Sequence, residues 1–136
     1  MVQLTNKQII NLYELLNSLD SQTKLPIELG FTIIHNIKIL QPYYQSVMEM
    51  RERLIRENGT QNEAGHIQIP PHLINEVNQQ LYSLLDIEIE IPSLVLINVK
   101  QLNDIFKEMS LQEINILYPI SKLESWGSSL FFWAEL

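Results

Sequence analysis

The chain has no cysteine. Disulfides, thiolate metal ligands and cysteine nucleophiles are thereby excluded. Glycine is scarce too: Gly30, Gly59, Gly65 and Gly127 are the four present, too scattered to build a phosphate-cradling loop. Basic residues number 9 against 16 acidic ones, for a formal net charge of −7. A general nucleic-acid binder needs a basic footprint, so direct contact with nucleic acid is not expected. The acidic balance suits solubility, or a patch that meets a basic partner. No apolar run approaches the roughly 20 residues that span a bilayer, so no membrane segment is expected. The opening MVQLTNKQIINLYELL lacks the basic, apolar and small-residue order of an export signal, which points to the cytoplasm.

What is present is 46% hydrophobic and 18% charged over 136 residues. That composition is not that of a disordered chain. It suits a single domain over 1–136 with a modest core, plus an aromatic C-terminal arm over 120–136. Residues 63–92 are the most telling stretch. They begin with Gly65 and a short alternation from His66 to Ile69, and Pro70 and Pro71 follow. Leu73, Ile74, Val77, Leu81 and Leu84 then recur at helical spacing, and the stretch ends on Asp86-Ile87-Glu88-Ile89-Glu90-Ile91. The period changes from helix to strand, so a strand–helix–strand unit is expected. Its last strand carries Asp86, Glu88 and Glu90 on one face and the isoleucines on the other, with Pro92 ending the ladder.

Around this unit the pattern predicts helices. Thr5 and Gln8 have capping-box spacing and open a first helix over 5–19, with Ile9, Leu12, Tyr13, Leu16 and Leu19 as its buried stripe. A second, long helix is expected over 26–58. Pro26 suits its first position and Asn58-Gly59 its end, with the glycine left-handed. Phe31, Ile34, Ile37, Tyr44, Met48, Arg51 and Ile55 mark one side of it, with Ile33, Leu40, Val47 and Leu54 beside them, and Pro42 predicts a kink near 38–42. The short connection makes the two helices antiparallel. Residues 60–65 read as a polar loop and 94–97 as a further strand or an extended crossing. Asn98 with Gln101 and Ser110 with Glu113 are two more capping boxes, opening short C-terminal helices. The fold class is therefore α+β and mostly helical: an antiparallel helical hairpin with a kinked long helix, a small two- or three-stranded sheet, and short C-terminal helices.

Groups able to carry chemistry are few. His35, His66 and His72 lack the carboxylate company of a metal site, so they read as ordinary helix and loop histidines. Asp86, Glu88 and Glu90 would stand about 7 Å apart, twice the strand rise. That spacing suits a divalent ion, acid/base work or a basic partner, but it better describes the solvated face of an edge strand. Glu49–Arg53 and Glu52–Arg56 have the i,i+4 order of a salt-bridged helix end. No serine stands in a nucleophile elbow. No catalytic residue, cofactor or metal is expected, and the chain does not read as an enzyme. Trp126, Phe131, Phe132 and Trp133 crowd the C-terminal arm, and such residues either close a core or anchor an interface.

The order of a capped helix, a charged helix end MRERLIRENG, the stretch HIQIPPHLINEVNQQLYSLLDIEIEI and then SLQEINILYPI resembles a family of small phage and prophage proteins catalogued as a domain of unknown function. The resemblance covers about 4–120 and is best over 65–91. Pro42 and the aromatic arm depart from it. It transfers no site residues, and it implies a phage or mobile-element origin. The expected function is a non-enzymatic protein that binds and inhibits a host protein, such as a component of bacterial defence, in the host cytoplasm. Its contacts would come from Asp86, Glu88, Glu90, Trp126, Phe131, Phe132 and Trp133, and the partner would be a host or phage protein. The alternative is a virion structural or assembly component acting as a homo-oligomer. A third reading is a small-ligand-sequestering protein with its pocket between the long helix and the sheet.

Overall fold

The computed structural model describes residues 2–22, 25–98, 101–102 and 110–122. Two helices dominate it, α1 (Asn6–Gln22) and α2 (Ile27–Asn58). Thr5 caps α1 as its spacing predicts. The Gln8 N–H donates to Thr5 Oγ1 at 3.1 Å and the Thr5 N–H to Gln8 Oε1 at 2.9 Å. α1 runs on to Gln22, past its expected end at Leu19. Pro26 sits just before α2, at the position where a missing N–H costs nothing. Pro42 lies inside α2, and the helix continues on both sides of it.

α1 and α2 pack antiparallel. Tyr13 stacks on Tyr44 at 4.2 Å between ring centres, and residues nearer the start of α1 face residues nearer the end of α2. Ile9, Leu12, Leu16 and Leu19 of α1 are buried against Leu29, Ile33 and Leu40 of α2. Burial of such side chains contributes roughly 1.5–3 kcal/mol each. The buried side of α2 is not quite the expected one. It comprises Leu29, Ile33, Asn36, Leu40 and Val47, so Ile33, Leu40 and Val47, expected beside the main stripe, are buried, whereas Phe31 and Ile34 of that stripe are exposed. α2 carries apolar residues on two sides, and periodicity alone does not say which side faces inward.

Among the described residues the strand segments are short and occur as three separate pairs. β1 (Val2–Thr5) lies antiparallel to β4 (Glu88–Ile91), with Leu4 opposite Ile89 and Val2 opposite Ile91. β2 (Thr60–Gln61) and β3 (Ile67–Gln68) form a hairpin of their own. The first strand of the expected strand–helix–strand unit therefore pairs with part of the expected polar loop, not with the acidic strand. Gly65, at φ 82°, supplies the left-handed residue that closes the hairpin loop. Asn62 Oδ1 accepts the N–H groups of Ala64 and His66 across that loop.

Gly59 behaves otherwise than expected. Its φ of −101° and ψ of 160° are extended, not left-handed. α2 ends there because the chain turns straight into β2, with the Ile67 side chain packed over the glycine.

After the hairpin, Pro71–Leu73 make one 3₁₀ turn and α3 (Ile74–Asp86) follows. Asn6, buried at the start of α1, donates through Nδ2 to the Leu84 carbonyl at 2.8 Å, and its N–H donates to the Ile87 carbonyl at 3.0 Å. These bonds fix the end of α3 beside the start of α1 and deliver the chain into β4. Beyond Ile91 the ladder stops at Pro92 as expected, and Ser93 takes a left-handed φ of 70°. The segment 94–96 has no regular secondary structure, and β5 (Ile97–Asn98) runs parallel to β6 (Ser121–Lys122). The Ser110–Glu113 capping box forms and opens α4 (Leu111–Leu117), which a 3₁₀ turn at Tyr118–Ile120 ends. Gln101 and Leu102 are helical, but the rest of the helix expected after Asn98 lies outside the described residues. Among the described residues, no helix is long and apolar enough to cross a membrane.

Candidate functional site

The acidic trio does not assemble as expected. Asp86 is the last residue of α3, so its carboxylate is not on the strand face. The helix keeps Asp86 because Leu81, Leu84 and Leu85 continue its period, and the alternation begins one residue too early to be all strand. Glu88 and Glu90 do stand on the exposed face of β4, while Ile89 is half-buried and Ile91 fully buried. Glu88 is engaged: Gln3 Nε2 on β1 donates to its Oε2 at 2.9 Å. This is a diagonal cross-strand bond, the kind that steadies a solvated ladder.

The other candidates fall as follows. His66 and His72 are exposed. His35 is half-buried, stacks on Phe31, and its Nε2 lies 2.7 Å from the Ser93 carbonyl. A carbonyl accepts, so that nitrogen carries the proton. No group of three His, Asp or Glu among the described residues could hold a metal ion. The charged run at the end of α2 forms no ion pair within 4.0 Å among the described residues, contrary to the expected Glu49–Arg53 and Glu52–Arg56 pairs. All four side chains are exposed, and water solvates them at little cost. Trp126, Phe131, Phe132 and Trp133 lie outside the described residues.

A different surface stands out. Ile27, Phe31 and Ile34 of α2 are 90%, 73% and 43% exposed. They recur at i, i+4 and i+7 and so form one stripe. By the helical period of about 3.6 residues per turn, that stripe lies on the opposite side of α2 from the buried set. Val95 and Leu96, also exposed, belong to the segment that Asn36 and His35 hold against the same half of α2. Scattered apolar residues on a surface need no explanation, but an ordered stripe on a helix side does. The sequence does show these residues. What it hides is which of the two apolar sides of α2 is covered.

A cleft of about 400 Å³ opens among α1, α2 and α3.

No family model, curated protein or solved structure matches the chain.

Proposed function

We propose that the chain is a non-enzymatic binding protein of phage or mobile-element origin that engages a host protein and inhibits it, with a defence component as the class of target. The observation that carries this reading is the outward stripe of Ile27, Phe31 and Ile34. A large aromatic flanked by aliphatic residues on a rigid helix is the usual chemistry of an interface anchor. The net charge of −7 favours a partner with a basic surface around that anchor. The aromatic arm, with Trp126 and Trp133, supplies further anchor groups. On this reading the chain acts in the bacterial cytoplasm, by occupying a surface of its target.

The test is capture from a lysate of infected host cells with the full chain as bait. Phe31→Asp is expected to lose the partner while keeping the circular dichroism of the parent, because Phe31 is outside the core. Capture of the same partner at the same yield by Phe31→Asp would remove the stripe from the mechanism. The same stripe also suits a second copy of the chain, the virion-assembly reading. A solution mass above that of the monomer, lowered to the monomer by Phe31→Asp, would select that reading instead.

A further inference from the structure

The cleft among α1, α2 and α3 has a chemical asymmetry. Its floor is apolar, made by Ile10, Val47, Leu81 and Leu85. Its charged lining is entirely cationic: Lys7 from α1 and Arg51 from α2, with no acidic residue among the lining groups. In a chain with 16 acids and 9 bases, that is the opposite of the overall balance. Neither cation joins an ion pair within 4.0 Å among the described residues. Both are exposed and reach solvent, whereas Val47 is buried and Ile10, Leu81 and Leu85 are half-buried. Asn11, Asn78 and Tyr82 add neutral hydrogen-bonding groups to the lining.

The antiparallel packing explains why the two cations meet. Lys7 lies one turn into α1 and Arg51 near the far end of α2, so the helical hairpin brings them to the same end of the molecule. α3 closes the third side, because Asn6 bonds to the Leu84 carbonyl and holds that helix beside α1. An apolar floor with a few convergent polar groups is the usual form of a small-molecule site. Two unpaired cations at its mouth select an anion, and in an otherwise acidic protein they form a local positive field.

We infer that this cleft binds a small amphipathic organic anion, with a carboxylate or phosphate head between Lys7 and Arg51 and an apolar body on the Ile10, Val47, Leu81 and Leu85 floor. Arg51 is suited to a two-pronged hydrogen bond with such a head, and Lys7 acts as a point charge beside it. The site is separate from the outward stripe of α2 and does not depend on a protein partner.

Calorimetry on the full chain tests this with three probes: octanoate, which has head and body; octanol, which has the body alone; and inorganic phosphate, which has a head alone. Octanoate is expected to bind at least about tenfold tighter than either of the others. Lys7→Gln combined with Arg51→Gln is expected to weaken octanoate about tenfold and leave octanol unchanged. Both residues are exposed, so the double variant keeps its fold, which circular dichroism verifies. Phe31→Asp is expected to leave octanoate binding as it was. The inference is overturned if octanol matches octanoate, if the double variant binds octanoate as the parent does, if Phe31→Asp abolishes binding, or if octanoate gives no binding at all.

Discussion

The side-chain amide of Asn36, in the middle of α2, pairs with the backbone of Val95 as a neighbouring strand would. Its Nδ2 donates to the Val95 carbonyl at 2.8 Å, and its Oδ1 accepts from the Val95 N–H at 2.9 Å. Asn36 is fully buried, between Ile33 and Leu40 on the core side of the helix. The segment 94–96 has no strand of its own to pair with, so this one side chain satisfies both polar groups of Val95.

Asn36→Leu should therefore be costly even though leucine is apolar and a better helix former. It leaves a donor and an acceptor of Val95 without partners. The expected loss is about 1–3 kcal/mol, because water reaches the exposed Val95 and offsets part of the cost of its two unsatisfied groups. Urea unfolding followed by circular dichroism measures it. A leucine variant as stable as the parent would mean that water replaces the amide at Val95 and that the pairing contributes little.

Two glycines flank the hairpin for different reasons, and substitutions separate them. A Cβ on Gly59 would run into Ile67 Cγ2 and lie 2.7 Å from the Ile55 carbonyl oxygen. Its backbone angles are ordinary, so the obstacle is space. Gly65 has open surroundings but a φ of +82°. Gly59→Ala and Gly59→Asn should both cost about 1–3 kcal/mol, as overpacking does. Gly65→Ala should cost about 1–2 kcal/mol through its backbone, and Gly65→Asn distinctly less, because asparagine tolerates the left-handed region. Thermal midpoints of the four variants give the comparison. Equal tolerance of asparagine at both positions would contradict the steric account of Gly59.

The capping boxes give a third expectation. Ser110 Oγ accepts the Glu113 N–H at 3.2 Å, and Glu113 Oε1 accepts the Ser110 N–H at 3.1 Å. α4 is a short helix and owes much of its start to this pair. Ser110→Ala should cost about 1 kcal/mol, and Thr5→Ala a similar amount at the head of α1. Hydrogen exchange should localise each loss. Faster exchange is expected at Glu113 for the first variant and at Gln8 for the second, and an unchanged rate at either amide would contradict the cap.

What the sequence made legible follows from how local each signal is. Caps depend on residues three apart, and Thr5–Gln8 and Ser110–Glu113 were readable for that reason. Long helices repeat their pattern many times, so α1, α2 and α3 are all visible. Two-residue strands such as β2 and β5 repeat nothing, and their pairing depends on partners far along the chain. β1 was readable in principle, since Val2 and Leu4 alternate with Gln3 and Thr5, but so short a run gives little weight. Asp86 satisfies the helical and the strand period at once, and the structure places it in the helix. The Lys7–Arg51 cleft lay beyond reach, because the two residues meet through the register of two helices and a third that closes over them. Asn36 is a signal the sequence reading missed: a lone amide among the buried apolar positions of α2 needs a partner, and no expectation was drawn from it.

Tyr44 gives the pH-dependent expectation. Partial burial raises its pKa above the ordinary 10.0, and the negative charge of Glu14 adds to the effect, with a long hydrogen bond from the Tyr44 hydroxyl to Glu14 Oε1 at 3.5 Å. Tyr13, stacked on it, acts in the same direction, and Arg51 opposes them. The folded protein thus holds this proton more tightly than the unfolded chain. The associated stability is complete below pH 10, the unfolded value, and is lost as pH rises through the higher folded value. Urea midpoints should therefore fall above pH 10, and Tyr44→Phe should flatten part of that fall. Tyrosinate absorbance should show a late contribution, absent in Tyr44→Phe, that moves earlier in Glu14→Gln, since that change removes the nearby negative charge. A titration curve identical in Glu14→Gln and the parent would mean that the carboxylate does not act on the Tyr44 hydroxyl, and that the hydrogen bond across α1 and α2 does not persist in solution.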